Sequence, residues 1–470
     1  MNTRVETVTT GGVAAPPRSA SGWSSRLAFI LAAAGSAVGL GNVWKFPYIA
    51  GEYGGGAFVL VYLGCVAAIG LPVLAAEILI GRRGGGSPIH SLATLAAREG
   101  HSPNWQALGW LGIVGAFLIL SFYSVVAGWA LSYLWYAADG QIVALGNESG
   151  DVAEAMSRLF EDLLADPVAL VVGHSLVMAL TVLIVARGIR GGLERAVCWM
   201  VPGLFVLLVV LVVYAATTTG TFGGAARFLF RPDFSALSWE AVLVALGHAF
   251  FTLSVGMTAM MAYGSFLDRD VSIARASVTI AGLDTVVALL AGLAIFPIVF
   301  AQGLEPGAGP GLIFVTLPIS FAQIPAGGVV AVLFFLFLVI AALSSTISVL
   351  EPVVEYLEQR EGWNRRRATA LLGTAIWTLG LGSALAFNVG ADFVVFGMNV
   401  FDLLDYVTAN VMLPLGGLLI ALYAGHVLSP EALADELGPV SAWVFKTFRF
   451  LLRYVAPIGI GVVLVYSLMR

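Results

Sequence analysis

Charge is scarce in this chain. Asp, Glu, Lys and Arg make up 11% of its 470 residues, against roughly a quarter in soluble proteins. Hydrophobic residues make up 59%, which excludes an ordinary soluble domain. Acids outnumber bases, 28 to 23, so there is no basic surface for nucleic acid. Cysteine is nearly absent: Cys65 and Cys198 both fall in apolar runs, which argues against a disulfide and a metal site. The five histidines, His90, His101, His174, His248 and His426, show no paired spacing, and no acid–base or nucleophile constellation marks an enzyme. A Gly-x-x-x-x-Gly-Lys motif is missing too, so ATP does not drive the chain directly. Residues 1–22, rich in Thr, Ser, Gly and Pro, lack the apolar core of a signal peptide and read as a cytoplasmic tail.

What the chain has is long apolar runs. Each is about 20 residues, enough at roughly 1.5 Å per residue to cross a 30 Å hydrocarbon core as a helix; barrel strands would need only about 10 alternating residues. Hydropathy gives eleven spans, at about 26–50, 56–81, 108–137, 167–186, 193–214, 239–267, 274–301, 327–357, 367–388, 392–424 and 450–469. The loops after the even-numbered spans carry the arginines, including Arg82, Arg83, Arg187, Arg190, Arg195, Arg269, Arg275 and Arg365 to Arg367, while 138–166 is acidic. The positive-inside rule then puts the N-terminus in the cytoplasm and, after eleven spans, the C-terminus outside. The chain divides into the tail, a core at 23–425, and a cytoplasmic loop with an eleventh helix at 426–470. Asn147-Glu148-Ser149 fits a glycosylation sequon, a pattern short enough to arise by chance.

The first span reads AFILAAAGSAVGLGNVWKFP from Ala28 to Pro47. Gly35, Gly39 and Gly41 fall within seven residues, and each glycine in a helix interior costs about 1 kcal/mol against alanine. Close helix packing also uses such glycines, but Ser36, Asn42, Lys45 and Pro47 among and after them favour an unwound segment. Unwound backbone at membrane depth survives only where protein or a cavity surrounds it, and there its carbonyls bind cations and its amides bind anions. Span 6 repeats the pattern, with Thr252, Ser254, Gly256 and Thr258 inside apolar helix. Two breaks five spans apart point to a midplane site between inverted repeats, read here as about 26–214 and 239–424. Asp284 adds a carboxylate at mid-span with no basic residue near it in sequence, which costs roughly 2.5–3.5 kcal/mol; a cation ligand or a structural hydrogen bond would explain it.

GSAVGLGNVWKFPY, Gly54 to Phe58, GHAFFTLSVGM and the FDLLDY of span 10 resemble the neurotransmitter:sodium symporters, particularly bacterial amino-acid transporters of the leucine-transporter fold. The resemblance runs from about Trp23 to span 10. It implies an all-α integral membrane protein with a 5+5 inverted repeat, broken helices 1 and 6 and, as in a shorter bacterial branch, eleven spans. It also implies two sodium ions. The first would take the Ala37 carbonyl, Asn42, Thr252, Asp284 (often Asn in relatives) and the substrate carboxylate. The second would take the carbonyls of Gly35, Val38 and Ala341 and the hydroxyls of Ser344 and Ser345. Tyr123 would bind the substrate carboxylate with the Leu40 and Gly41 amides, beside Ser36, Ala37, Gly39 and Thr252. Ile119, Val126, Phe251, Ser254, Met257, Ser345 and Val349 would line the side-chain end. Amine-transporting relatives carry Asp at the position of Gly39, so glycine there favours an α-amino acid.

Lys45 and Asp405 match the family's outer gate pair, with Phe251 as a lid over the substrate. Glu77 matches a buried acid that holds the broken sixth helix, and Glu351 and Glu355 are left as either snorkelling or pathway groups. Several positions depart from the family pattern: Ala20 and Gln359 replace the inner gate pair, with Arg18 and Glu358 as neighbours, Phe266 replaces a tyrosine, His248 a glutamine and Thr258 a glycine. Chloride-dependent relatives hold an anion beside the counterparts of Tyr62 and Thr252; a permanent charge on Asp284 would make chloride unnecessary, and the same carboxylate would be available to carry a proton on the empty return step. The expectation is a sodium-coupled symporter of hydrophobic L-amino acids in a bacterial inner membrane. Its rivals are a carrier of another small carboxylate-bearing solute, a substrate-sensing receptor on the same scaffold, a channel and a membrane-bound enzyme. Clustering of the polar residues at one depth disfavours the channel.

Overall fold

Ser25 starts the first membrane helix, its hydroxyl accepting from the Ala28 N–H at 3.1 Å. In this computed structural model, which describes residues 22–148, 150–305 and 311–469, that helix (Arg26–Ala37) ends where Val38 turns extended. A second piece, Gly41–Glu52, continues at an angle of 50° to it. The glycines at 39 and 41 thus sit at a real interruption. Apart from Gly22, the tail lies outside the described residues, as does Ser149 of the sequon.

Among the described residues nine helices are long and apolar enough to cross a membrane, and the bent pair of span 1 makes ten. Span 6 is divided into Trp239–Thr252 and Ala259–Ser265. Seven residues reach only about 10 Å, so the expected count of eleven is reached only by reading these two pieces as one span. Span 3 (Pro103–Ala138) starts earlier than 108, and span 11 (Ala442–Met469) earlier than 450. Span 10 (Val400–Val427) starts eight residues later than 392. The apolar run Phe393 to Phe396 that carried hydropathy across this boundary is an exposed turn, with Phe396 and Gly397 at positive φ. Asn399 then caps the helix through the Asp402 N–H at 2.9 Å. The acidic 138–166 segment holds two helices, Gln141–Glu148 and Val152–Ala165.

Span 8 (Gly327–Gln359) packs along span 3, and the two halves of span 6 both pack against span 2 (Gly56–Gly84). Span 3 buries 72% of its most apolar window, whereas spans 5 (Ile189–Thr218) and 11 bury 28% and 22%. The broken helices therefore have a protein shell around them, and spans 5 and 11 lie at its lipid side. Val168, Val172, Leu176, Leu180 and Leu183 of span 4 (Pro167–Val185) form an exposed stripe at helical spacing, as a lipid-facing surface requires.

At the end of span 2 that the arginine rule assigns to the cytoplasm, buried Arg82 binds Glu436 at 2.7 Å and also the Glu436 carbonyl. It donates to the carbonyls of Val271 (2.5 Å) and Asp268 (3.2 Å) as well. One guanidinium thereby ties span 2 to the 6–7 connection and to the helix Pro430–Leu437. Removing one member of a buried pair leaves an uncompensated charge, at about 3–5 kcal/mol. Arg82→Met is expected to lower the unfolding midpoint in detergent sharply, and adding Glu436→Leu to recover part of the loss.

Candidate functional site

Asn42 joins the two broken helices to span 7 (Ile273–Ala301). Its side-chain oxygen accepts from the Gly39 N–H at 3.0 Å. Its amide nitrogen donates to Thr252 Oγ1 (3.0 Å), Asp284 Oδ1 (2.7 Å) and the Asp284 carbonyl (3.0 Å). Thr252 Oγ1 in turn lies 3.0 Å from both Asp284 carboxylate oxygens. Asn42, Thr252 and Asp284 are all buried, and among the described residues no cationic side chain pairs with Asp284. A buried carboxylate held only by neutral donors is incomplete as an electrostatic arrangement. Hard oxygens are what a sodium ion requires; Asp284 and Thr252 bring theirs together here, whereas Asn42 turns its amide nitrogen to them and its oxygen to the Gly39 N–H.

Backbone geometry at the second break explains why its sequence looks as it does. Ser254, Gly256 and Thr258 all have positive φ, at 53°, 93° and 60°. Gly256 has no room for a side chain, because a methyl group would strike the Leu413 carbonyl of span 10. Its N–H donates to Glu77 Oε1 at 2.6 Å, which gives span 2 its role as the anchor of this turn. Ser254 Oγ donates to the Ser36 carbonyl at 2.9 Å, so the breaks also bind each other directly. Thr258, β-branched at a left-handed position, is strained; Gly112 of span 3 makes the space for it.

Around the first break, the Leu40 N–H donates to the Tyr123 hydroxyl at 3.2 Å. A methyl group on Gly39 would collide with Ser345 Oγ and lie 3.0 Å from the Tyr123 hydroxyl. The Phe251 ring packs beside Gly41, 3.1 Å from where a methyl group there would sit. Gly39, Tyr123 and Ser345 thus converge, with Phe251 on the neighbouring glycine. Ile119, Val126, Met257 and Val349, the expected apolar lining, are nearly fully buried. On span 8, Ser344 Oγ lies 3.4 Å from the Val38 carbonyl and 2.9 Å from the Ala341 carbonyl, and Ser345 Oγ is 3.4 Å from Ala341. The proposed second ion's hydroxyls and two of its carbonyls are therefore together; Gly35 lies alongside, a methyl group there reaching 3.7 Å from Ser344 Cβ.

The expected gate ion pair is not formed here. The Lys45 ammonium stands over the Phe251 ring, 4.5 Å from its centroid, and among the described residues no ion pair joins it to Asp405. At the opposite end, Arg18 and Ala20 lie outside the described residues, but the chain just after them is firmly held. The Trp23 indole donates to the Tyr263 carbonyl at 3.2 Å, Ser24 binds Glu194 through its N–H (3.0 Å) and its hydroxyl, and Arg190 holds the Gly22 carbonyl at 2.6 Å. Sequence reasoning missed the Glu194 and Arg190 ties, whose partners lie about 170 residues away with no motif to announce them. It also left open Glu351, which Arg365 neutralises at 3.0 Å and 2.5 Å. His174 is structural, bridging Ser124 Oγ (3.0 Å) and the Trp377 carbonyl (3.1 Å).

The family model described as the sodium:neurotransmitter symporter family matches residues 20–143 and 154–470. YhdH of Bacillus subtilis (strain 168), an uncharacterized sodium-dependent transporter, is 38% identical over 94% of this chain and 96% of its own. An uncharacterized sodium-dependent transporter of Haemophilus influenzae is 33% identical, covering 95% and 98%. The crystal structure of MhsT in complex with L-phenylalanine matches with a TM-score of 0.85 and 42% identity, over 95% of this chain and 99% of that one.

The bond from Asn42 to the Asp284 carboxylate is worth about 1.5–3 kcal/mol, as hydrogen bonds to charged groups are. Asn42→Ala is therefore expected to lower the thermal midpoint measured without sodium, and Asn42→Asp to lower it further by setting two carboxylates together.

Proposed function

This chain belongs to the sodium:neurotransmitter symporter family, and from that membership we propose that it couples uptake of a hydrophobic L-amino acid to two sodium ions by alternating access. It is a sodium-dependent membrane transporter with the leucine-transporter fold. The observation that carries the finer reading is the meeting of Asn42, Thr252 and Asp284 beside the space that Gly39 leaves between Tyr123 and Ser345. A substrate that brings its own carboxylate would place it between Tyr123 and the first ion, with the Ala37 carbonyl as a further ligand. The apolar surroundings of Ile119, Val126, Phe251, Met257 and Val349 favour an apolar side chain, in keeping with the L-phenylalanine bound by MhsT. The second ion would sit among Gly35, Val38, Ala341, Ser344 and Ser345. Residues 26–214 and 239–424 would be the two repeats, with the N-terminus in the cytoplasm of a bacterial cell.

Energetically, two ions suffice. Moving two charges through 100 mV releases roughly 4.6 kcal/mol, a little over three decades of accumulation at about 1.4 kcal/mol each, before the sodium gradient is counted. Lys45 and Asp405 would pair across the outer mouth during closure, with Phe251 as the lid. Asp284 supplies a fixed negative charge where chloride would otherwise balance the second sodium ion, so transport would not need chloride.

The test is a binding screen of the twenty amino acids in sodium, in potassium, and with gluconate in place of chloride. Leu, Ile, Met, Val, Phe, Tyr or Trp should bind only in sodium and equally well without chloride; Asp, Lys and simple amines should not bind. Uptake into liposomes then separates a carrier from a receptor. Asp284→Asn keeps an oxygen and removes the charge, and its activity should become poor or newly responsive to chloride. Parent uptake that requires chloride, or an Asp284→Asn variant equal to the parent, would overturn the charge-balance argument.

A further inference from the structure

Below Ser344 and Ser345, span 8 carries a line of polar residues toward the end assigned to the cytoplasm. Ser344, Ser348, Glu351, Glu355 and Gln359 follow at intervals of three and four, which places them on one helix face. Glu355 is ten residues beyond Ser345, about 15 Å along the axis. It does not snorkel: its exposure is 2%. One carboxylate oxygen accepts from Ser265 Oγ at 3.0 Å and from Gln359 Nε2 at 2.8 Å. The other, Oε2, is buried with no hydrogen-bond partner. Arg365, the nearby cation, is fully engaged by Glu351, Glu358 and the Val185 carbonyl. The Tyr263 hydroxyl is also buried, facing Ser348 and Glu351. Trp23 closes over this region through the Tyr263 carbonyl, and Gln359 closes it by accepting from the Ser87 N–H at 2.5 Å.

A buried carboxylate whose own donors are neutral calls for a cation, and a buried carboxylate oxygen with no partner is where that cation would bind. We propose that Glu355, with the Ser265 hydroxyl, forms a third, transient sodium site, where an ion leaving Ser344 and Ser345 first meets a carboxylate on its way to the cytoplasm. This rests on the reading of Ser344 and Ser345 as ligands of the second ion. The site lies outside the substrate pocket and works only on the inner side, so it governs release and rebinding of the ion rather than its capture from outside.

Glu355→Gln separates charge from structure, because glutamine still accepts from Ser265; Glu355→Asp retains the charge. In proteoliposomes loaded with graded sodium balanced by potassium, internal sodium should inhibit the parent's initial uptake of labelled L-phenylalanine. Glu355→Gln is expected to raise the half-inhibiting internal concentration at least about ten-fold, a modest part of the attraction between unit charges a few ångströms apart at an effective dielectric constant of about 20. Half-saturation by external sodium should stay near the parent value, and Glu355→Asp should behave as the parent does. Thermal stabilisation by sodium in detergent certifies that each variant is folded. An internal-sodium response unchanged in Glu355→Gln would overturn the proposal, as would parent inhibition that follows internal pH instead of sodium. Parent uptake indifferent to external sodium would overturn the symport reading first, a failure distinguishable from that of this site.

Discussion

A lipid interior leaves no water to satisfy backbone that has left the helix, and this chain leaves the helix twice at the centre of its core. The two interruptions satisfy each other. Ser254 of one binds the Ser36 carbonyl of the other, Asn42 returns to the Gly39 N–H, and Asn42 reaches Thr252 across the gap. The surrounding spans take their positions from what remains. Span 2 brings Glu77 to the Gly256 N–H, span 7 brings Asp284, span 3 brings Tyr123 to the Leu40 N–H, and span 8 brings Ser344 to the Val38 carbonyl. Strained residues at 254 and 258 persist because these partners hold them, and strain maintained in this way belongs to a working site.

Asp284 decides what that site can hold. Its carboxylate is buried, its donors are neutral, and no guanidinium or ammonium pairs with it among the described residues. Contrast the side that the arginine rule assigns to the cytoplasm, where Arg82 pairs with Glu436 and Arg365 with Glu351. Those pairs carry their own counter-charge and serve to fasten elements together. Asp284 is left with a deficit that a mobile cation would fill, and such a cation would make the substrate site depend on the ion.

Much of this was legible in the sequence, for reasons that are local. Glycines spaced through 35–41 lower helix stability within one turn or two, and hydroxyls at 252, 254 and 258 set around Gly256 suggest a break in the same way. Long apolar runs gave the spans because the bilayer fixes their length. Residues 393–396 misled because hydropathy records apolar character and not direction: four apolar residues in an exposed turn look the same as the first turn of a helix until Asn399 is recognised as the cap. Long-range partners left no local trace. Nothing near Glu194 points to Ser24, nothing near Arg82 points to Glu436, and the placement of Lys45 over Phe251 instead of beside Asp405 depends on how the outer halves of spans 1, 6 and 10 stand relative to one another.

If sodium and substrate share the Asn42–Thr252–Asp284 site, each must raise the other's affinity by the same factor, since linkage is reciprocal for equilibrium binding. The direct measurement is a pair of titrations on the purified protein at constant ionic strength: L-phenylalanine binding at several sodium concentrations, and sodium binding with and without saturating L-phenylalanine. The account predicts that saturating L-phenylalanine shifts the sodium curve to lower concentration by the factor that sodium gains for L-phenylalanine, and that Thr252→Val reduces both shifts together. A sodium curve that does not move when L-phenylalanine binds would contradict it.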